Sequence, residues 1–444
     1  MKVIFITLDY PTGINDYLIL PSLDFAVMSS VVKENGDNCE LIDMRINHYD
    51  MYQLEHLLIA KNKIEKIDLV CIESICNTHF NAVKAIKVCR HALGDDIVIA
   101  LRGEVTTFLP VQTLERNAEL DVAFVGESER ALLDIIDYMK GTITERDIHN
   151  ACLRNKNGEI INNNNCYTSN LNHLPLPDRA VYDISAYIRR DSETIVRSSR
   201  GCPGNCSFCI KTKMSKFRLF TIKRFCDEIE ILQRYGFQSF FFSDDTFAFS
   251  DQRLSDFAEE ILKRKMHIRW TSNLRIKDIN EYKIKTMKEL GAYRVFVGIE
   301  TINSASQKLA NKNLTKQEVM DKISILKKYN MEFHASFIIG APGDTEEDLM
   351  EIEKLLSEIK PTLVTFNQLK LFPGTDIYNS PEKYNILPFD PYWFEKDDWV
   401  YYPVFGTKPA NKSQVLFSRF LKLFVNLFLC TIRRPALYPA YTKS

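Results

Sequence analysis

Short apolar runs alternate with helical patterns along most of the chain, and this alternation restricts its fold more than any other feature. The first series has apolar runs at residues 3–8, 39–43, 69–73, 97–101 and 122–125, with helical patterns at 25–35, at 82–92 and from Glu129. Strands joined by helices predict a parallel, doubly wound α/β sheet. In such a sheet, ligands bind beside the carboxyl ends of the strands.

A second series of the same kind begins after residue 190. Six apolar runs, at residues 194–199, 239–243, 268–273, 293–298, 333–339 and 363–369, alternate with helical patterns. Thr315 and Glu318 fit a capping box at the start of one of these helices. Six strand–helix repeats predict a partial (βα)6 barrel, an incomplete version of the eight-fold TIM-type barrel. Barrels of this type place their chemistry at the carboxyl ends of the strands.

A proline-punctuated segment, LPLPD at residues 174–178, separates the two series. We therefore predict a doubly wound domain at residues 1–145, a linker at 146–189, the barrel at 190–380 and a helical C-terminal extension at 381–444. Apolar residues at helical spacing over 415–432, flanked by basic residues, predict a helix in the extension. Such a helix packs on the barrel or lies at a membrane interface.

Composition narrows the class of protein further. The formal net charge is −1 over 444 residues, which gives no sign of a nucleic-acid partner. No uncharged apolar run approaches about 18 residues, so no spanning helix is expected. The first apolar run is interrupted by Asp9 and Pro11 and is typical of a strand rather than a secretory signal. Without export, the eleven cysteines indicate a reducing compartment, and we predict a cytoplasmic protein.

Three of those cysteines lie within RSSRGCPGNCSFC at residues 197–209, with the spacing Cys-x3-Cys-x2-Cys. Cys202, Cys206 and Cys209 could bind three irons of a four-iron cluster and leave the fourth iron open. The alternatives are a zinc site, which would normally use four ligands or include histidine or carboxylate, and inert buried thiols. Gly201 and Gly204 would let the loop wrap tightly, while Phe208 could shield the cluster from water.

This motif, opening a partial barrel, resembles that of the radical S-adenosylmethionine superfamily. The resemblance covers about residues 190–380 and implies a 4Fe-4S cluster whose open iron binds S-adenosylmethionine, with flavodoxin or ferredoxin as a reductant. It also implies cofactor contacts that follow the strands in order. These contacts are Phe208 beside the cluster, Asp244 and Asp245 where the family has Gly-Gly-Glu, Arg275 at the carboxylate, Gly298 and Glu300 at the ribose, and Gly340 at the adenine.

Residues 1–180 resemble the cobalamin-binding, Rossmann-like domain found in one group of these enzymes. The matching segments include ALRGEVTTFLP and VGESERALLDI, so the resemblance implies cobalamin near Gly103 and Gly126. The family's Gly-Gly-Pro-His segment is Arg102-Gly103-Glu104-Val105 here, which adds bulk and charge. The alternative is a Rossmann-like domain that has lost its ligand and only supports the barrel.

The two resemblances together imply cobalamin-dependent radical methylation of an unactivated carbon. Radical cyclisation, rearrangement or oxidation without methyl transfer is the alternative reaction, because fold alone does not separate these outcomes. A cofactor-binding sensor without turnover is the alternative of another class. The substrate stays open between a small molecule, a lipid and a peptide.

Overall fold

The computed structural model describes residues 1–9, 20–163, 168–189, 193–341, 344–386 and 388–396. The helix predicted at 415–432 lies outside these residues. The described helices include none with the length and apolar character needed to span a membrane.

The first unit is a seven-stranded sheet with helices on both faces, in the strand order β2-β1-β3-β4-β5-β6-β7. Its strands are β1 (Lys2–Thr7), β2 (Asn38–Asp43), β3 (Leu69–Ser74), β4 (Val98–Gly103), β5 (Val122–Phe124), β6 (Ala151–Arg154) and β7 (Ile160–Asn162). Its helices are α1 (Leu23–Glu34), α2 (Met44–Asn47), α3 (Met51–Ile64), α4 (His79–Leu93), α5 (Glu104–Phe108), α6 (Pro110–Arg116) and α7 (Ser128–Met139). The first five strands run parallel, which confirms the doubly wound fold predicted from the alternation.

The last two strands of this sheet differ from the prediction. β6 pairs with β5 and β7 pairs with β6, both antiparallel, so residues 151–162 belong to the first sheet rather than to a linker at 146–189. The hairpin covers the edge that β5 would otherwise leave with unpaired backbone groups. The turn between β6 and β7, at Asn155–Gly158, is a local signal of the sequence, whereas the sheet that the two strands join depends on distant contacts.

The second unit is a parallel six-stranded sheet in the order β15-β14-β13-β12-β11-β8. Its strands are β8 (Thr194–Val196), β11 (Ser239–Phe242), β12 (Arg269–Leu274), β13 (Ala292–Glu300), β14 (Glu332–Ile339) and β15 (Leu363–Gln368), and β9 (Ser199–Arg200) pairs with β10 (Arg218–Leu219) in a separate ribbon. Its helices are α8 (Ile184–Arg189), α9 (Lys211–Met214), α10 (Ile222–Arg234), α11 (Asp251–Arg264), α12 (Glu281–Glu289), α13 (Ser304–Leu309), α14 (Lys316–Lys328), α15 (Glu346–Ile359) and α16 (Asp376–Asn379). All six predicted barrel strands are confirmed in chain order, as is the Thr315–Glu318 capping box.

An aromatic cluster fills the core between the barrel sheet and the helices α10 and α11. The Phe242 ring stacks on Trp270 with centroids 4.4 Å apart, and Phe225 and Phe257 contact Phe242 from α10 and α11. All four side chains are at most 1% exposed. Their burial removes large apolar areas from water and fixes these two helices against the sheet.

The two units are joined by hydrogen bonds from the segment that precedes the barrel. The hydroxyl of Tyr187 donates to Asp43 Oδ2 at 2.5 Å, at the end of β2. Asp178 accepts from Ser29 Oγ at 2.6 Å and pairs with Lys33 at 2.6 Å, both on α1. This segment therefore holds the first unit against the barrel.

We predict that Phe242→Ala lowers the free energy of unfolding by about 3–5 kcal/mol, because it leaves a cavity in a core that packs on every side. Leu262→Ala is the matched control, since Leu262 is 72% exposed on α11, and should change stability by less than about 0.5 kcal/mol. Urea unfolding followed by circular dichroism checks both. Equal effects of the two substitutions would contradict the assignment of the core.

Candidate cluster and cofactor site

A cavity of about 740 Å³ lies at the carboxyl end of the barrel sheet, and Cys202, Cys206 and Cys209 all line it. The loop that carries them follows β8 and turns at Gly201, where φ is 77° and an added Cβ would meet the backbone of Ser215 and Lys216. The Cys202 sulfur accepts a hydrogen bond from Gly204 N at 3.3 Å. The sequence motif therefore folds as a compact loop that presents three sulfurs to one cavity.

The three sulfurs fit a cluster better than they fit inert core positions. They are half-buried, whereas Cys71, Cys76, Cys89, Cys152 and Cys226 are buried, and all nine described cysteines are free thiols. Burial raises the pKa of each of the three cavity thiols. In the described parts of the chain, no three His, Cys, Asp or Glu side chains lie close enough together to bind one metal ion. Cluster thiolates bind three different irons, so they need not converge on one point.

Asp244, predicted to contact a cofactor, instead holds the start of the cysteine loop. Its carboxylate is 1% exposed and accepts from Ser198 N at 3.1 Å, from Ser198 Oγ at 2.8 Å and from the Ser199 hydroxyl. Arg253 completes the arrangement by donating to the Ser198 carbonyl at 3.0 Å. Because a buried carboxylate needs such donors, Asp244 is committed to the loop and does not line the cavity.

Asp245, the next residue, does line the cavity. Burial raises the pKa of its carboxyl, while the nearby cations Lys211 and Arg197 act in the opposite direction. Arg275 lines the same cavity, and its Nε and Nη2 donate to Asp278 at 2.7 and 2.9 Å. Its remaining nitrogen lies toward the Gly204 turn of the cysteine loop. Asp245 and Arg275 thus offer opposite charges beside the sulfurs, as a zwitterionic amino acid group would require.

The end of β13 contributes Gly298 and Glu300 to the cavity wall. Glu300 has a φ of 68°, in the left-handed region, at a shift in the register between β13 and β14. Its Oε1 pairs with Lys312 Nζ at 2.8 Å, and the same ammonium donates to the Gly298 carbonyl at 2.9 Å. A Cβ at position 298 would lie 2.2 Å from Glu300 Oε1, so any other residue there would displace this carboxylate. Lys312 was not predicted, since it lies in an irregular loop twelve residues beyond Glu300 with no local motif.

Phe208 and Gly340 lie on the side of the cavity next to β14. Phe208 lines the cavity and also a small adjoining pocket, which it shares with Glu300, Ile338 and Ala341. Gly340 follows β14 with a φ of 82° but does not line the cavity, in contrast to its predicted cofactor contact. Here the glycine serves the turn, because a left-handed backbone conformation strains other residues.

A second, smaller cleft of about 160 Å³ lies between the two units, where the carboxyl ends of their strands face each other. Gly126 lines it with a φ of 68° and nothing within 4 Å of an added Cβ. Gly103 does not line it: its added Cβ would overlap the Ser74 carbonyl, so glycine serves the close packing of β3 on β4 instead. Lys211 and Asp245 line both cavities, so the cleft adjoins the cysteine site.

Buried ion pairs close one side of this cleft. The Arg102 guanidinium, in a side chain 8% exposed, pairs with Glu73 at 2.6 Å and with Asp24 at 2.8 Å. Asp24 also pairs with Arg197 of the barrel at 3.1 Å. Burial alone would raise the pKa of Asp24, but the arginines hold it well below its ordinary value. Asp24 is therefore a charged link between the units.

The comparisons with known proteins agree with the fold and with the cysteine site. The sequence model of the Radical SAM superfamily matches residues 196–356. An uncharacterized methyltransferase of Pyrococcus horikoshii is 26% identical over 378 residues, which cover 83% of this chain and 80% of the relative. An anaerobic magnesium-protoporphyrin IX monomethyl ester cyclase of Rubrivivax gelatinosus is 24% identical over 376 residues, covering 81% of this chain and 66% of the relative.

Two solved structures share the whole two-unit fold. OxsB, a cobalamin-dependent S-adenosylmethionine radical enzyme with aqua-cobalamin and S-adenosylmethionine bound, has a TM-score of 0.71 at 18% identity, over 86% of this chain and 60% of OxsB. TsrM from Kitasatospora setae, a radical S-adenosylmethionine methyltransferase with cobalamin and a 4Fe-4S cluster bound, has a TM-score of 0.69 at 16% identity, over 85% of this chain and 73% of TsrM. At these identities the likeness concerns the fold.

We predict that Cys206→Ala abolishes the iron–sulfur chromophore after anaerobic reconstitution, because it removes one of three cluster ligands. Cys226→Ala is the control, since Cys226 is buried on α10 away from the cavity, and it should retain the wild-type iron content. Iron and sulfide analysis with the visible absorption spectrum measures both. Full iron in the Cys206 variant would refute the ligand assignment.

Asp244→Asn should destabilise the protein by about 2–3 kcal/mol, because the amide leaves a backbone donor and a hydroxyl without their charged acceptor. It should also reduce the iron retained after reconstitution, since the cysteine loop loses its anchor. Asp245→Asn should leave the unfolding midpoint nearly unchanged. The same loss of stability in both variants would show that the two carboxylates do not differ as described.

Proposed function

Because the chain belongs to the radical S-adenosylmethionine superfamily, we propose that it is a radical methylase of an unactivated substrate carbon, with cobalamin as its second cofactor. Membership implies a 4Fe-4S cluster and S-adenosylmethionine. The observation that carries the proposal is the single cavity in which three cysteines face Asp245, Arg275 and Glu300. When bound there, the cluster and S-adenosylmethionine supply a hydrogen-abstracting 5′-deoxyadenosyl radical.

Different side chains of the cavity would bind the cluster and the separate groups of S-adenosylmethionine. Cys202, Cys206 and Cys209 hold three irons and leave one site of the cluster for the cofactor. Asp245 can accept from the amino group of S-adenosylmethionine, and the third nitrogen of Arg275 can donate to its carboxylate. Phe208 covers one wall, so water is excluded where a reactive species must be protected.

Glu300 would bind the nucleoside part of S-adenosylmethionine. Its Oε2 has no hydrogen-bond partner among the described residues, while its Oε1 is held by Lys312. A carboxylate oxygen free of protein donors can accept from ribose hydroxyls, and that acceptance would offset the cost of burying the charge. The volume of the cavity, about 740 Å³, lies within the range of about 300–1,000 Å³ that is typical of ligand sites.

The place proposed for cobalamin is the interdomain cleft, which the Rossmann-like unit and the barrel form together. Gly126 fits this role because it leaves open space in the lining where any other residue would project a side chain. The cleft adjoins the cluster cavity at Lys211 and Asp245, which line both. Bound cobalamin would supply the methyl group. A volume of about 160 Å³ is small for a macrocycle, so binding requires the Arg102 ion pairs to open or the units to move apart.

Radical cyclisation or another radical reaction without methyl transfer is the second candidate. The observation that favours it is the buried network of Arg102, Glu73 and Asp24, which occupies one side of the cleft. The relative in Rubrivivax gelatinosus carries the name of a cyclase. A small-molecule, lipid or peptide substrate, a flavodoxin or ferredoxin reductant and a cytoplasmic location belong to the proposal as predictions.

Reconstituted enzyme with dithionite and S-adenosylmethionine should form 5′-deoxyadenosine, measured by liquid chromatography with mass detection. Methylation adds two further results: S-adenosylhomocysteine accumulates, and the product is one methyl group heavier than the substrate. A corrin absorption spectrum of protein incubated with hydroxocobalamin tests the second cofactor directly. Without any 5′-deoxyadenosine both candidates fail, whereas 5′-deoxyadenosine without S-adenosylhomocysteine or corrin binding favours the second.

A further inference from the structure

Lys312 lines the cluster cavity, but no role in the site was predicted for it from the sequence. Its ammonium donates to Glu300 Oε1 at 2.8 Å and to the Gly298 carbonyl at 2.9 Å. The Lys312 and Glu300 side chains are 16% and 14% exposed, so the pair is largely shielded from water. Charge-assisted hydrogen bonds in such a setting are stronger than those at a surface, and their geometry restrains both partners.

The loop between α13 and α14 holds the Lys312 ammonium beside Glu300. Gln307, which is 2% exposed, accepts from Lys312 N at 3.0 Å through its carbonyl and donates through its side chain to the Ile299 carbonyl at 3.2 Å. Asn311 and Asn313 flank Lys312 with φ values of 56° and 47°. The loop is therefore tied to the end of β13, and the position of Lys312 follows the strand that carries Glu300.

Glu300 itself needs such support, because its φ of 68° is unusual for any residue with a side chain. A residue held in the left-handed region is strained, and it persists there only where its surroundings determine its conformation. Asn residues reach this region more readily than Glu does. The strain at Glu300 coincides with a side chain that faces the cavity, which is the usual place for strain of this kind.

We propose that Lys312 is a positioning residue for S-adenosylmethionine, which holds the Glu300 carboxylate so that its second oxygen meets the ribose hydroxyls. The proposal rests on the function proposed above, in which this cavity binds S-adenosylmethionine. In this proposal, Lys312 affects the binding of S-adenosylmethionine only by positioning Glu300. The proposal also distinguishes Lys312 from Lys211, which lines the cavity but pairs with Glu104 of the other unit at 3.6 Å.

The test uses the full-length, anaerobically reconstituted protein with the substitutions Lys312→Met, Lys312→Arg and Glu300→Gln. Lys312→Met should raise the KM for S-adenosylmethionine in 5′-deoxyadenosine formation by about tenfold or more, since hydrogen bonds to charged groups contribute that much. The kcat should fall less, and Lys312→Arg should recover much of the affinity. Lys308→Met, at an exposed site on α13, is the matched control and should behave as wild type.

A double-mutant cycle identifies the route of the effect. If Lys312 acts through Glu300, adding Lys312→Met to Glu300→Gln should raise the KM by less than about twofold, because the partner is already lost. Iron content and thermal midpoint measured on every variant separate positioning from folding. An unchanged KM, independent effects in the cycle or loss of iron in Lys312→Met would each overturn the proposal. If the wild-type protein neither binds S-adenosylmethionine nor forms 5′-deoxyadenosine, the proposed function fails first.

Discussion

The parallel direction of the strands is the constraint on which the site depends. All six barrel strands end at one edge, so the cysteine loop after β8, Asp245 after β11, Arg275 after β12 and Glu300 at the end of β13 meet in one cavity. The first five strands of the other sheet also run parallel, and their carboxyl ends face the same region across the interdomain cleft. Two sheet edges of the kind that bind ligands are thereby opposed, as the proposed use of two cofactors would require.

Buried charges hold these loops in place, and each has a defined partner. The Asp244 carboxylate holds the start of the cysteine loop, and Lys312 restrains Glu300. Asp24 pairs with Arg102 in its own unit and links the two units through Arg197. Removing one partner from such a pair costs more than the pair itself contributes, because a charge is left buried without compensation. The network around Arg102 has a further consequence, since it stabilises the closed cleft that a large second cofactor would have to open.

Much of this arrangement could be predicted from the sequence, and the failures have physical causes. Periodicity predicted every barrel strand, and the cysteine spacing predicted three thiols that the fold brings to one cavity, because both are local patterns. The separate uses of Asp244 and Asp245 could not be predicted, since adjacent residues point in different directions and only the fold decides which one meets Ser198. Lys312 and the β6–β7 hairpin depend on contacts distant in sequence. Gly103 was predicted to lie near cobalamin, but the group that its backbone approaches closely is the Ser74 carbonyl.

The central claim is that three cysteines leave one iron open to S-adenosylmethionine beside Asp245, Arg275 and Glu300. Electron–nuclear double resonance of the reduced cluster tests it most directly, with S-adenosylmethionine labelled with ¹⁵N at the amino group and ¹⁷O at the carboxylate. The account predicts hyperfine coupling from both labels, because the amino and carboxylate groups would bind the open iron. A reduced four-iron cluster that shows no coupling to either label, with S-adenosylmethionine present in excess, would contradict it.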